Sequence, residues 1–447
     1  MLVEDFAEFA VGAREEGLSS EVEAAAARAL VDWYGATVAG SVLDPARALR
    51  QAIDFAPGGG SSVFVGAGGR TDPRTAALVN GTASHTVEMD DIFREGVYHP
   101  GSPTVAAALA AAQHGHATGG DLLRAIAIGY EIGDRIAAAI QPAHYRYWHT
   151  TGTVGTIGAA AAVAELLRLP ADSFAHALAT ATTNAAGLQQ AFRSESMSKP
   201  LHAGHAADAG LVAAYAASEG FTGVLDILEG ESGFGAAMSE VPDWESAVAN
   251  LGRPWGITQP TVKFHACCGH TFAAIDAALE LRAEGVRFDD VAAVSIETYT
   301  TATKVAGYAD PATVFEAKFS LAYCVAVALQ TGSVRLAAFA PDKLADPALC
   351  RLVGATSVAA EPAFDTDFPS KRQARVTVEL ADGTTRSFLR HTRKGDPDDP
   401  LTADELRQKF IDLASPVVGD RAETLFDELM NVATVTDLAD WTDEKRT

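Results

Sequence analysis

The chain has 447 residues and a formal net charge of −24, from 34 basic and 58 acidic side chains. Hydrophobic residues make up 48% and charged ones 21%, which excludes general disorder and leaves room for two domains with sizeable cores. So acidic a surface excludes nucleic acid and anionic membranes as partners, and an anionic substrate needs a local basic cluster to be held at all.

The opening MLVEDFAEFAVGAREEG places acids where a signal peptide needs positive charge, so a soluble cytoplasmic protein is expected. Residues 1–56 read as helices, the second capped by Ser19 or Ser20, and Ala24 to Val38 suits a helix buried on most of its surface. The Gly-rich stretch 57–72 reads as turns around a short strand-like piece and lacks the GKS/T of a phosphate loop. Helices are predicted over 73–86 and 102–117, flanking the segment Asn80 to Pro103. Leu122–Ile140 is a further predicted helix, and 144–169 leads through Gly152, Gly155 and Gly158 into another. Those glycines allow close helix packing, while His149, Thr150 and Thr151 stand where a helix N-terminus can hold an anion. A helix is predicted over 172–192, and another enters at Pro200 and stops before Gly220, with His202 and His205 on one face.

The texture changes near Lys263. Residues 291–301 and 375–389 alternate as strands do, the latter a hairpin turning at Asp382-Gly383, and Phe319–Leu329 reads as a helix between them. Helical pattern returns after residues 395–406, starting at Thr402 or Asp404. The cysteines Cys267, Cys268, Cys324 and Cys350 form neither a disulfide scaffold nor a CxxC pair. The fold class is therefore mainly α with an α+β insert.

Chemistry-bearing residues fall into groups: Asp90, Asp91 and His99, with His85 nearby; Tyr147 and His149; Arg193, Lys199, His202 and His205; Lys263, His265, Cys267, Cys268 and His270; and Tyr323 within an apolar helix. His202 and His205 with Asp208, or Asp90 and Asp91 with His99, offer metal-type donors, but no HExxH or paired CxxC supports them. No GxSxG elbow exists for a serine nucleophile. Taken together the basic groups suit a di- or tricarboxylate, since burying several carboxylates requires that many donors. A base then moves a proton α to a carboxylate while lysines stabilise the enediolate. A non-catalytic helical carboxylate-binding protein is the alternative from a different class.

Several stretches carry a resemblance. NGTASHTVEMDD followed by HPGSP, WHTTGTVGTIGAAAA, SKPLHAGHAADAGLVAAYAASEGFTG, KFHACCGHTFAAIDA, FSLAYCVAVAL and GDPDDPLTADEL resemble, in order, the MmgE/PrpD family, which includes 2-methylcitrate dehydratase, cis-aconitate decarboxylase and iminodisuccinate epimerase. The resemblance implies a large all-helical domain from both chain ends, residues 1–265 and 401–447, and a smaller α+β lid domain over 266–400. It implies a homodimer, a small polycarboxylate substrate, and lyase or epimerase chemistry without metal or cofactor. Carried over by position, it puts catalytic groups at His99, Asp90, Asp91, Lys199, Lys263 and Tyr323. Substrate contacts are expected from His149, Arg193, His202, His265, Cys268 and His270. The decarboxylase-like run Asp-Phe-Asp-Asp-Thr is here Glu88-Met89-Asp90-Asp91-Ile92, and Cys268 stands where the decarboxylase pattern has a histidine. Those departures favour a dehydratase-like or epimerase-like activity over cis-aconitate decarboxylation.

Overall fold

A computed structural model describes residues 1–53, 59–192, 196–368, 371–439 and 441. The protein is mainly helical, with a small mixed sheet in its C-terminal region. Two compact units are present: Met1–Thr261 with Ala403–Thr447, and Val262–Thr402.

The first unit begins with helices α1 (Leu2–Glu16), α2 (Ser20–Ser41) and α3 (Ala46–Ile53). Ser19 caps α2 by accepting from the Val22 N–H. The Gly-rich stretch forms a two-stranded antiparallel hairpin, β1 (Ser62–Val63) and β2 (Arg70–Thr71). Asp72 then caps α4 (Pro73–Ser84), accepting from the Arg74 and Thr75 N–H groups ahead of a proline at the first helical position. There follow α5 (Gly101–His114), α6 (Gly119–Ala139), α7 (Thr150–Leu166), α8 (Ala171–Thr182) and α9 (Ser198–Ser218).

Helix α7 is the hub, packed by α5, α6, α8 and α9. Every residue from Thr150 to Glu165 is buried, as expected of a helix without a polar face. Its glycines do the packing that their spacing predicts. A Cβ on Gly158 would lie 3.0 Å from the Gly129 carbonyl of α6, and one on Gly129 only 2.7 Å from the Gly158 carbonyl. A second close approach joins α4 to α9, where a Cβ on Gly204 would lie 2.2 Å from the Leu78 carbonyl. The predicted helix over 172–192 stops ten residues short of its expected end, at Thr182. Thr182 Oγ1 donates to the Leu178 carbonyl at 2.8 Å and Asn184 Nδ2 to that of Thr180 at 3.0 Å, and Gly187 has a φ of 137°. The chain thus turns so that the Gly187 carbonyl accepts the His149 N–H at 2.9 Å.

The segment after Thr402 returns to this unit. Its helix Ala403–Val418 packs on α2, burying Leu406, Phe410 and Leu413. Those positions recur with helical period and make one apolar stripe.

The second unit carries a four-stranded sheet in the order β4-β3-β5-β6: β3 (Val291–Thr298), β4 (Thr356–Ala360), β5 (Ala374–Leu380) and β6 (Thr385–Arg390). Strands β3 and β4 are parallel, and the other pairs antiparallel. The β5–β6 turn has Gly383 at a φ of 83°, as the Asp-Gly pair predicts. Strand β4 escapes the sequence reading because it is short and largely exposed. Helices Phe272–Ala283 and Leu321–Thr331 pack on this sheet. Among the described residues no helix is long and apolar enough to cross a membrane.

Candidate active site

The segment between α4 and α5 is irregular and tightly held. Ile92 and Thr261 exchange backbone hydrogen bonds of 2.9 and 2.8 Å, and Phe93 and Tyr98 those of 2.7 and 3.1 Å. Two non-glycine residues, Glu88 (φ 60°) and Val97 (φ 47°), occupy the left-handed region. Such strain persists only where the surroundings over-determine it, and it clusters at functional sites.

Asp90 lies at the centre, 1% exposed. Its Oδ2 is 2.6 Å from Nδ1 of His85, 2.8 Å from the donating hydroxyl of Ser102, and 3.2 Å from Nδ1 of His99. Burial pushes this carboxyl up, but the imidazoles of His85 and His99 outweigh it and hold it well below the usual carboxylate range. An anionic Asp90 draws the proton of the His85 ring to Nδ1, and the same oxygen faces His99 Nδ1 at ion-pair distance. His85 and His99 stand edge to face, ring centres 4.8 Å apart. The His99 N–H donates to Thr151 Oγ1 at 3.2 Å, so α7 positions His99 through its first turn.

Asp91 faces away from this pair. It accepts from the Tyr130 hydroxyl at 2.8 Å and from the Gly101 N–H at 3.1 Å, at the start of α5. Burial, then the charge of Asp32, raise it to about 7 against those two hydrogen bonds. Two adjacent aspartates are therefore driven in opposite directions, a pattern that marks acid–base sites.

His149 precedes α7, and its ring stacks on that of His85 with centres 5.4 Å apart. His149 Nδ1 lies 3.1 Å from Nδ1 of His202 on α9. Burial is the first cause that lowers both imidazoles, His149 well below its ordinary value and His202 to about 4. Lys199 and the neighbouring imidazoles push the same way. Lys199, in the first turn of α9, pairs with Glu88. The Gly81–Gly204 approach brings the end of α4, with His85, close to the start of α9, with Lys199 and His202.

The structure thus gathers Asp90, His99, His149, Lys199 and His202 around His85, while Asp91 turns to Tyr130 and Gly101. Arg193 lies outside the described residues. Tyr147 is exposed, and His205 points its Nε2 at the Asn184 carbonyl 3.4 Å away. Asp208 pairs with Arg74 rather than with the histidines of its helix.

The other expected residues belong to the second unit. Lys263 and His265 are buried, and His265 Nε2 meets Asp276 at 2.8 Å. Asp276 also accepts the Lys394 N–H at 2.8 Å. His270 Nδ1 meets the Tyr299 hydroxyl at 2.7 Å, and the Cys268 N–H donates to the Lys318 carbonyl at 2.9 Å. Tyr323 donates its hydroxyl to the Ala338 carbonyl at 2.7 Å, and burial raises its pKa. In this arrangement that hydroxyl braces the second unit rather than standing open as a donor.

Two residues of the site's support escape the sequence reading. Lys409, on the returning helix, donates to the Met89 carbonyl and pairs with Asp32 of α2. Their signal was a lysine on an apolar stripe, Leu406-Lys409-Phe410-Leu413, and an aspartate inside the apolar run Leu30-Val31-Asp32-Trp33-Tyr34.

His85, Asp90 and His99 also offer three donor atoms within 4.8 Å of one another, which a metal ion could use. Their spacing fits hydrogen bonding better. One oxygen, Asp90 Oδ2, takes both imidazoles and the Ser102 hydroxyl, and 2.6 Å is a charge-assisted hydrogen-bond length.

A buried carboxylate facing two imidazoles, beside a lysine and a second histidine pair, brings together in one helical unit the kinds of group that proton transfer uses. The chain belongs to the MmgE/PrpD family: the MmgE/PrpD N-terminal domain matches residues 4–247 and the MmgE/PrpD C-terminal domain residues 265–432. It is similar to a cis-aconitate decarboxylase-like protein of Aspergillus oryzae, 30% identical over 440 residues, covering 92% of this chain and 90% of the relative. A cis-aconitate decarboxylase of Aspergillus terreus is 27% identical, covering 91% and 87%. The human cis-aconitate decarboxylase is 27% identical, covering 98% and 92%.

Proposed function

We propose that this enzyme of the MmgE/PrpD family decarboxylates an unsaturated tricarboxylate of the cis-aconitate type. The observation that carries the reading is full-length similarity to cis-aconitate decarboxylases, running through the segment that holds Asp90 and His99. The sequence departures at Ile92 and Cys268 favoured dehydration or epimerisation. The relatives reverse that order, and those two reactions become the second reading.

The reaction balances without redox change. The C–C bond to the CH2-borne carboxylate breaks and CO2 leaves. The electron pair passes through the C=C bond to the carbon α to the far carboxylate, where one proton adds. Lys199 has the charge to hold a carboxylate and the spreading negative charge, exchanging Glu88 for substrate. His99, beside Asp90, and His149, whose pKa burial lowers, are both buried within reach of polar partners, as proton delivery requires. Incubation with cis-aconitate in D2O tests the reading, with release of CO2 and one deuterium on the product carbon as the expected result. Dehydration of 2-methylcitrate or deuteration of an amino dicarboxylate, with no CO2 from cis-aconitate, would transfer the enzyme to the second reading.

A further inference from the structure

We propose that His202 is the proton-supply residue of this site, passing a solvent proton to His149 through their paired Nδ1 atoms. The inference rests on the decarboxylase reading, because each CO2 released consumes one proton at a buried centre. His149 is 2% exposed, whereas His202 is half-buried and reaches solvent. The two Nδ1 atoms lie 3.1 Å apart, so one nitrogen donates and the other accepts.

The contact is built. A Cβ on Gly187 would lie 3.2 Å from His202 Nδ1, and Gly187 sits at a φ of 137°. A Cβ on Gly152 would lie 3.1 Å from His202 Cβ. The Gly187 carbonyl also fixes the His149 backbone at 2.9 Å. Glycines on two sides thus admit the His202 ring to His149 Nδ1.

The transfer balances in atoms. A proton adds to His202 Nε2 and its Nδ1–H bond breaks. A new bond forms at His149 Nδ1, the His149 Nε2–H bond breaks, and the proton reaches the carbon that received the electron pair. After the product leaves, water in the emptied site returns a proton to His149 Nε2, the His149 Nδ1 proton passes back to His202 Nδ1, and the His202 Nε2 proton goes to solvent, which restores both starting tautomers. Burial lowers both imidazoles, so neither is trapped as a cation between turnovers. His202 acts through His149 and is a positioning and relay residue.

The test uses the full-length protein with His202→Gln, which keeps a hydrogen bond to His149 but relays no proton, and His202→Ala as a second variant. In weakly buffered solution kcat on cis-aconitate should fall about 100-fold with KM unchanged, within the range a proton-transferring side chain supplies. Added imidazole should restore most of it. A raised KM with no imidazole rescue would make His202 a substrate contact and overturn the relay. A second readout is independent of turnover. In ¹⁵N-histidine spectra the His149 ring proton should exchange with water, and more slowly in His202→Gln. If the wild type releases no CO2, the decarboxylase reading fails and this exchange alone decides the relay: slower exchange of the His149 ring proton in His202→Gln supports it, and an unchanged rate refutes it.

Discussion

Lys409 donates to the Met89 carbonyl at 2.7 Å across 320 residues of sequence, and the same ammonium pairs with Asp32. Both charged side chains are 1% exposed. The residue immediately before Asp90 is therefore pinned by a helix from the far end of the chain.

Replacing Lys409 by Met should leave Asp32 buried without its cation and destabilise the protein by about 3–5 kcal/mol. Urea unfolding measures this as a lower midpoint. The double variant Asp32→Leu/Lys409→Met should recover much of the loss, since an apolar pair of similar volume can replace a buried ion pair. An unchanged midpoint in Lys409→Met would show that Asp32 does not need the lysine.

Asp90→Asn should remove the anion that faces Nδ1 of both His85 and His99. Turnover should fall by about 10²–10⁴-fold, the range of a lost acid–base group, with the far-UV spectrum unchanged. Turnover within a factor of two of wild type would remove Asp90 from the proton-transfer machinery.

Asp91 carries a sign that can be read from stability alone. Its folded carboxyl titrates at about 7 against an ordinary 3.8, so between those values the folded state binds more protons than the unfolded one. Its contribution is present in full at acid pH and is lost as pH rises through about 7. Unfolding free energy measured from pH 4 to 8 should show this downward component, and Asp91→Asn should flatten it. An identical pH slope in both proteins would contradict the assignment.

Glu88 occupies the lysine that the substrate's carboxylate is proposed to use. Glu88→Gln should lower KM for cis-aconitate, and Lys199→Ala should raise it, by about 10-fold or more for a lost charged hydrogen bond. Thermal shift against cis-aconitate gives the same comparison without turnover. Tighter binding in Lys199→Ala would rule the lysine out as the carboxylate contact.

Local signals in the sequence reach a definite distance into this protein. Ser19, the proline after Asp72, and Asp382-Gly383 act on their nearest neighbours, so the elements they start or turn lie close to where they were expected. The helix expected to run to 192 fails at Thr182 because hydroxyl and amide side chains compete for its carbonyls, and propensity does not reveal which bonds will form. The histidine cluster was visible as residue types in several separate stretches. Its geometry was not, because it depends on where α4 crosses α9 at Gly81 and Gly204. The opposite titration of Asp90 and Asp91 was also hidden. Identical residues side by side differ through their surroundings, His85 and His99 at Asp90 and Asp32 and Tyr130 at Asp91, which the fold brings together.

The Lys409 contact also sets an order of events during synthesis. A nascent chain that has emerged only as far as Thr261 contains every helix of the histidine cluster and yet lacks the cation for Asp32. The Val262–Thr402 unit must be translated before residue 409 can arrive. The buried ion pair at Asp32 is thereby completed only after the whole Val262–Thr402 unit has been made.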